Sequence, residues 1–451
     1  MDIMGTGAHP DDVVVVGGGL AGLTAACYLA REGAAVTVLE KSAGLGGRSA
    51  TRELDGFLFN LGLHALYTGG ATSRVLTELG VHYDHGVPVD VFVLHDQGVS
   101  AFPTDPAGLL RADFLNARDK LALVRFFATL AAAKPRRLAG TSVRGWLDAK
   151  VHSPRLRALL AAWARTFVYS AALDLVSAEV FVDKFQRTLK HPVHYIDGGW
   201  QVLVDGLRAV AEGTGVRIRS ATPAEAIELA AGRAVGVRLR DGSTLPASAV
   251  VIATAPRDAG GLLHAGGCDG LAVALDRLVP ARIACLDVAL ARLPVPAHPV
   301  VLDLTRPRFI SAQSAYARVA PDGAALIGSF KQLDPRTASD PSADERDLEG
   351  LLDAAQPGWR DVVVRRQFLP SIEAVGALPM AATMGFAGRP AGRVPDAAGV
   401  YLAGDWVGPE GYLADASTAS AREAARLVVA DRDGRGRTTD GRSRAAAAAR
   451  R

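Results

Sequence analysis

The sequence predicts an α/β fold: a Rossmann-type βαβ unit extended into a parallel sheet, with an α+β region inserted into it. Residues 12–40 read in order as buried strand, glycine turn, helix, strand and acid. Near the other end, Gly399-Val400-Tyr401-Leu402-Ala403-Gly404-Asp405-Trp406 reads as a second buried strand closing on a glycine and an acid. The chain has 451 residues, too many for one small domain, and 49% are apolar, enough for a core shared by two joined domains.

The first unit can be justified residue by residue. Val13 to Val16 form an apolar run short enough for a strand covered on both faces. Gly17-Gly18-Gly19-Leu20-Ala21-Gly22 turns the chain into a helical segment, Leu23 to Arg31, which Gly33 ends. Ala35 to Leu39 supplies the next strand. Gly17 permits the tight turn and Gly19 lets a pyrophosphate approach the backbone. Gly22, with Ala21, Ala25 and Ala26, keeps helix and sheet close. The helix N-terminus offers N–H groups and partial positive charge to phosphates. Glu40 lies 18 positions after Gly22, near the spacing of an acid that accepts from a ribose hydroxyl.

Lys41 and then a second glycine turn with an arginine, Gly44-Leu45-Gly46-Gly47-Arg48, come directly after that acid. A nicotinamide dehydrogenase has no evident use for this. In an FAD enzyme the guanidinium can reach the flavin half of the pyrophosphate or the ribityl chain. With Thr51 completing an acid-Gly-Gly-Arg-x-x-Thr pattern, the sequence resembles the flavin-containing amine oxidase, phytoene desaturase and protoporphyrinogen oxidase superfamily.

Bulk properties narrow the class. No apolar run reaches the ~18–20 residues that span a bilayer. The first strand begins by Val13, which leaves no room for a signal peptide, and Cys27, Cys268 and Cys285 lack metal or redox spacing. A reduced, cytoplasmic protein is the expectation. The net charge of +3 resides in residues 431–451, whose seven arginines and three aspartates leave the rest of the chain at −1. That basic tail is expected to be disordered, and the body offers nothing for nucleic acid.

Between the two ends, Phe57 to Leu66 reads as a strand and a turn, with Gly62 allowing close approach and His64 as a candidate pocket residue. A histidine satisfied by a loop hydrogen bond fits that position equally well. Residues 69–191 read as mainly helical. Leu115 to Leu130 has an apolar face opposed by basic residues, which suits packing on its own domain or contact with a membrane surface. Trp146, Trp163, Phe167 and Tyr169 are core or pocket aromatics. Tyr195 to Leu203 opens a helix over Val202–Glu212, and short strands follow at 215–219 and 226–229, then a hairpin over 234–246. Ala249 to Ile252 is a buried strand. Ile283–Leu290 and Ala324–Phe330 are strands, and Ser342-Ala343-Asp344-Glu345 reads as a capping box.

The resemblance implies a glutathione-reductase-like FAD domain made of residues 1–68, 195–265 and 386–430, with a substrate domain from 69–194 and 266–385. It implies FAD contacts at Gly17, Gly19, Ala21, Gly22, Glu40 and Lys41 in the first unit, and at Gly47, Arg48 and Gly62 beyond it. It adds Ala224 beside the adenine, Asp405 on the ribityl chain after Gly404, and Leu413 at the start of the last helix, which would face flavin N1 and O2. Tyr412 matches one aromatic of the amine-oxidase substrate cage. The lysine those oxidases place near flavin N5 aligns with Ala284, Lys331 is expected to be structural, and no cysteine in 378–386 could hold the flavin covalently. The implied activity is hydride abstraction from a C–H or N–H bond of a largely apolar small molecule. A flavin amine oxidase is the alternative, and a flavin-free binder like the Rab escort and dissociation-inhibitor proteins is the alternative of another class. The oligomeric state is not legible.

Overall fold

Two sheets dominate the computed structural model, which describes residues 12–103 and 106–448. The first is parallel, with strands in the order Arg217–Arg219, Ala35–Leu39, Asp12–Val16, Ala249–Ile252 and Val400–Leu402. Its members come from three separated stretches of chain, and Asp12–Val16 lies at its centre. The alternation of strand side chains sorts the valines. Val13 and Val15 pack on helices Leu20–Arg31, Gln201–Gly213 and the last helix, while Val14 and Val16 pack on the meander 224–246 and helix Pro256–Ala265. Both faces are covered, as four successive valines require.

The second sheet has seven strands in the order Val363–Val375, Ala281–Leu290, Ala325–Gln332, Arg308–Ala312, Val300–Asp303, Val91–His95 and Gly98–Ala101. One pair is parallel, Val300–Asp303 with Val91–His95; the others are antiparallel. Ala284, Leu286, Val288 and Leu290 face helix Pro341–Ala355, while Ile283 and Cys285 face the helices between 117 and 188. The class is therefore α/β with mixed sheets, and the second sheet carries the inserted region.

Several expectations need correction. Residues 69–191 are not all helical: Val91–His95 and Gly98–Ala101 form a hairpin on the second sheet, since the run Val91-Phe92-Val93-Leu94 finds a partner in Val300–Asp303. The first helix starts at Leu20 rather than Leu23, because Gly22 lies within its first turn and Gly19 is its N-cap. The helix at 341–355 is capped by Asp340, whose carboxylate accepts from the N–H groups of Ser342 and Ala343, and not by Ser342. The last helix, Ala414–Ala448, runs on over most of the basic stretch expected to be disordered, and 449–451 lie outside the described residues. The N-terminal residues 1–11 lie outside them too. Among the described residues no helix is long and apolar enough to cross a membrane.

Candidate active site

The glycine turn that opens the chain is the first wall of a cleft of about 1000 Å³. Gly17 adopts a left-handed φ of +111°, and a Cβ on Gly22 would stand 1.8 Å from its carbonyl oxygen. Only glycine allows helix Leu20–Arg31 to leave the strand so abruptly. That helix begins after Gly19 with no side-chain cap, and Gly17, Gly19, Leu20 and Ala21 line the cleft, so its positive end is turned toward a ligand there.

Glu40, 8% exposed, terminates the second strand. Its Oε2 accepts from Gly18 N–H at 2.8 Å and its Oε1 from Ser42 N–H at 2.8 Å. Each carboxylate oxygen keeps a lone pair for a further donor. Lys41 pairs with Asp258 at 2.7 Å on the rim, near Pro223 and Ala224.

Arg48 and Asp405, 357 positions apart, meet in a bidentate ion pair with N–O distances of 2.8 and 2.7 Å. Gly376 N–H donates to the same acid at 3.0 Å. The acid is 1% exposed and accepts through both oxygens, whereas the arginine side chain is 44% exposed. What the pair presents to the cleft is therefore the guanidinium, anchored from behind. Gly404 and Leu413 line the cleft near the start of the last helix, and Leu413 has a left-handed φ of +57°, a strained conformation for a leucine.

His64 lines the cleft, with Nδ1 2.9 Å from the Gly62 carbonyl and its ring 4.9 Å from that of Trp200. Burial lowers its pKa, so the imidazole is neutral. Tyr412 lines the cleft with its ring and donates its hydroxyl to the Val168 carbonyl at 2.7 Å, and burial holds the phenol protonated. Gly22 and Gly62 do not line the cleft. Gly22 supports the turn, and a Cβ on Gly62 would meet Ile372 Cδ1 at 2.7 Å.

The second sheet supplies Ile283 and Ile372 to the cleft, with Leu61, Leu63, Tyr67, Tyr169 and Trp200. Here the expected register is off by one residue. Ala284 faces away, toward Leu348 and Leu352, and the cleft-facing position is Ile283, which is also no lysine. Lys331 is held by Asp344 and Asp347, both at 2.8 Å, on the far side of the sheet. Sequence reasoning missed Tyr67, although it stands three residues after His64, and missed the carbonyls of Glu373 and Ala374, each 3.4 Å from Arg48. Backbone contacts leave no trace in side-chain spelling.

Comparison with known proteins agrees with this geometry. Residues 20–265, more than half the chain, match the family model described as flavin containing amine oxidoreductase. The all-trans-zeta-carotene desaturase of Myxococcus xanthus is 29% identical over 276 residues, 53% of this chain and 52% of that one. The carotenoid 3,4-desaturase of Haloarcula japonica is 60% identical over 52 residues, 12% of this chain and 10% of that one. The chain spans about half the length, or less, of the curated relatives it matches. Among solved structures, an oxidoreductase from Methanosarcina mazei superposes with a TM-score of 0.74 at 20% identity, over 91% of this chain and 100% of that one. Cyclohexylamine oxidase from Brevibacterium oxydans gives 0.68 at 20% identity, over 92% and 98%. These two show a shared fold. With the uncapped helix, the ribose-spaced acid and the anchored guanidinium all on one cleft, the chain belongs to the flavin-containing amine oxidoreductases, and FAD is its cofactor.

Proposed function

We propose that the protein is an FAD-dependent oxidoreductase acting on a C–H bond of a largely apolar small molecule, as a desaturase or dehydrogenase does. One observation carries the substrate class: the wall built by the second sheet and its neighbours is Leu61, Leu63, Ile283, Ile372, Tyr67 and Tyr169, without a basic side chain. The desaturase names of the relatives in Myxococcus and Haloarcula support the same reading.

When bound, FAD supplies the hydride acceptor. The residues do the rest. The first turn of helix Leu20–Arg31 would hold the pyrophosphate, Glu40 a ribose hydroxyl, and Pro223 and Ala224 the adenine edge. Arg48, braced by Asp405, would sit on the ribityl side, and the N-terminal end of Ala414–Ala448 would favour negative charge by about 0.3–1 kcal/mol. The apolar wall orients the substrate and excludes water. Retention of FAD is non-covalent in this reading: Cys27 and Cys285 are buried, with both thiols pushed up by burial, and 378–386 contains no cysteine. Of the described residues, 12–68, 195–265 and 386–430 would form the glutathione-reductase-like FAD domain, and 69–103, 106–194 and 266–385 the substrate domain. Leu110, Leu121 and Val124 stand exposed among Arg118 and Arg125, which supports peripheral contact with an anionic bilayer.

Anaerobic titration tests the reaction class. Candidate polyenes should bleach the flavin absorbance, and alkylamines should not. Bleaching by amines alone would move the protein to the amine-oxidase alternative.

A further inference from the structure

Behind the aromatic end of the cleft lies a lysine for which the reaction above has no use. Lys184, on helix Ala178–Thr188, is 5% exposed, and its Nζ has no hydrogen-bond partner. The ammonium stands 3.6 Å over the ring of Tyr67, 5.5 Å from that of Tyr412, 5.9 Å from Tyr169 and 6.0 Å from Phe167. Tyr67, Tyr169 and Tyr412 line the cleft, as does Asp415, whose charge also acts on Lys184. Three tyrosine faces and a nearby carboxylate are what a protein builds to receive a cation. Here the cation is the chain's own.

We propose that Lys184 is a specificity residue, an internal cation that fills this aromatic and acidic site and so excludes ammonium-bearing substrates from the cleft. The inference rests on reading the cleft as the substrate pocket of an FAD oxidoreductase, and it names what that pocket refuses. With Lys184 in place, the aromatic end of the cleft offers a cationic ligand one more positive charge to approach. Without it, the same rings and Asp415 would attract one.

The groups around Lys184 make the effect pH-dependent. On its own helix, Asp183 is already paired with Arg187 at 2.8 Å. From the last helix comes Asp415, held by Thr72 N–H at 2.9 Å, its carboxyl pushed up by burial. The phenols of Tyr67, Tyr169 and Tyr412 are pushed up by burial and stay neutral. Burial lowers Lys184 itself to about 7. It is therefore charged below pH 7 and neutral above, and the barrier to cations falls as pH rises.

Hexyltrimethylammonium, whose charge is fixed, is a suitable probe, with binding to the holoprotein read as a perturbation of the flavin spectrum. The parent protein should bind it at least tenfold more weakly at pH 6 than at pH 8.5, with a midpoint near 7. Lys184→Met should bind it at least tenfold more tightly than the parent at pH 6 and lose that midpoint. Lys184→Arg, charged throughout, should stay weak at both pH values. Equal binding by the parent at both pH values overturns the inference, and that measurement needs no variant to fold. So does a Lys184→Met protein that folds and gains nothing. Neither result touches the desaturase reading, which stands or falls on bleaching by polyenes.

Discussion

Arg48 shows how much one side chain can commit. Its guanidinium neutralises Asp405, an acid 1% exposed to solvent, while remaining open toward the cleft. Arg48→Ala takes from that acid its ion-pair partner, and leaving a buried acceptor short of its donor costs about 1–3 kcal/mol. The Gly376 N–H that remains on Asp405 should hold the loss near the lower figure, measurable as a fall in melting temperature of the flavin-free protein. Asp287 is a second test at this scale. Its Oδ1 is buried without a partner, and burial pushes the carboxyl up to about 8, against a backbone hydrogen bond from Ser329. A folded-state pKa above the unfolded value means that the stability is full below about pH 4 and falls as pH rises through 8. At ~1.4 kcal/mol per unit the loss reaches at most about 6 kcal/mol, of which about 4 falls between pH 5 and 8, and Asp287→Asn should flatten it in denaturant titrations run between pH 5 and 9. Glu40 was legible from spacing alone. The Arg48–Asp405 pair was not, since each residue was read separately against the cofactor and nothing local ties one to the other.

Elements differ in how plainly the sequence spells them. The strand Ala35–Leu39 and the unit around it follow from short-range rules: a run of valines, a glycine turn, an acid at a set distance. The strand Val363–Val375 escaped because its run holds Arg365, Arg366 and Pro370, which argue against a strand until it is seen at the edge of its sheet, where proline is tolerated. Parity is as fragile. The flavin-side position expected at Ala284 lies one residue from the cleft-facing Ile283, and in a strand one residue is the opposite face. The junction of the first strand and helix is the element most exposed to a single atom. A methyl group on Gly22 would overlap the Gly17 carbonyl, a backbone atom that cannot swing away. Gly22→Ala should therefore destabilise the protein by about 1–3 kcal/mol or more and strip most of its FAD, seen together as a lower melting temperature and a lost visible absorbance.

At the scale of the molecule, the cleft is a meeting of distant segments. Residues 16–49 give the nucleotide end, 222–225 and 253–262 the rim, 372–374 the brace behind Arg48, and 404–417 the closing edge. The parallel sheet makes this possible by seating Val400–Leu402 beside Ala249–Ile252 and delivering Gly404 and Asp405 toward Arg48. The two ends were readable because their glycines and acids sit at spacings imposed by a ligand. The inserted region was not, because its wall is assembled from single apolar residues on many elements.

The most direct test of the account is the amount of FAD retained per chain after gel filtration, for the parent protein and for Glu40→Ala and Arg48→Ala. The parent should hold close to one FAD, and each variant should show retention reduced at least tenfold at micromolar protein. A colourless parent, or variants that keep FAD as firmly as the parent does, would contradict it.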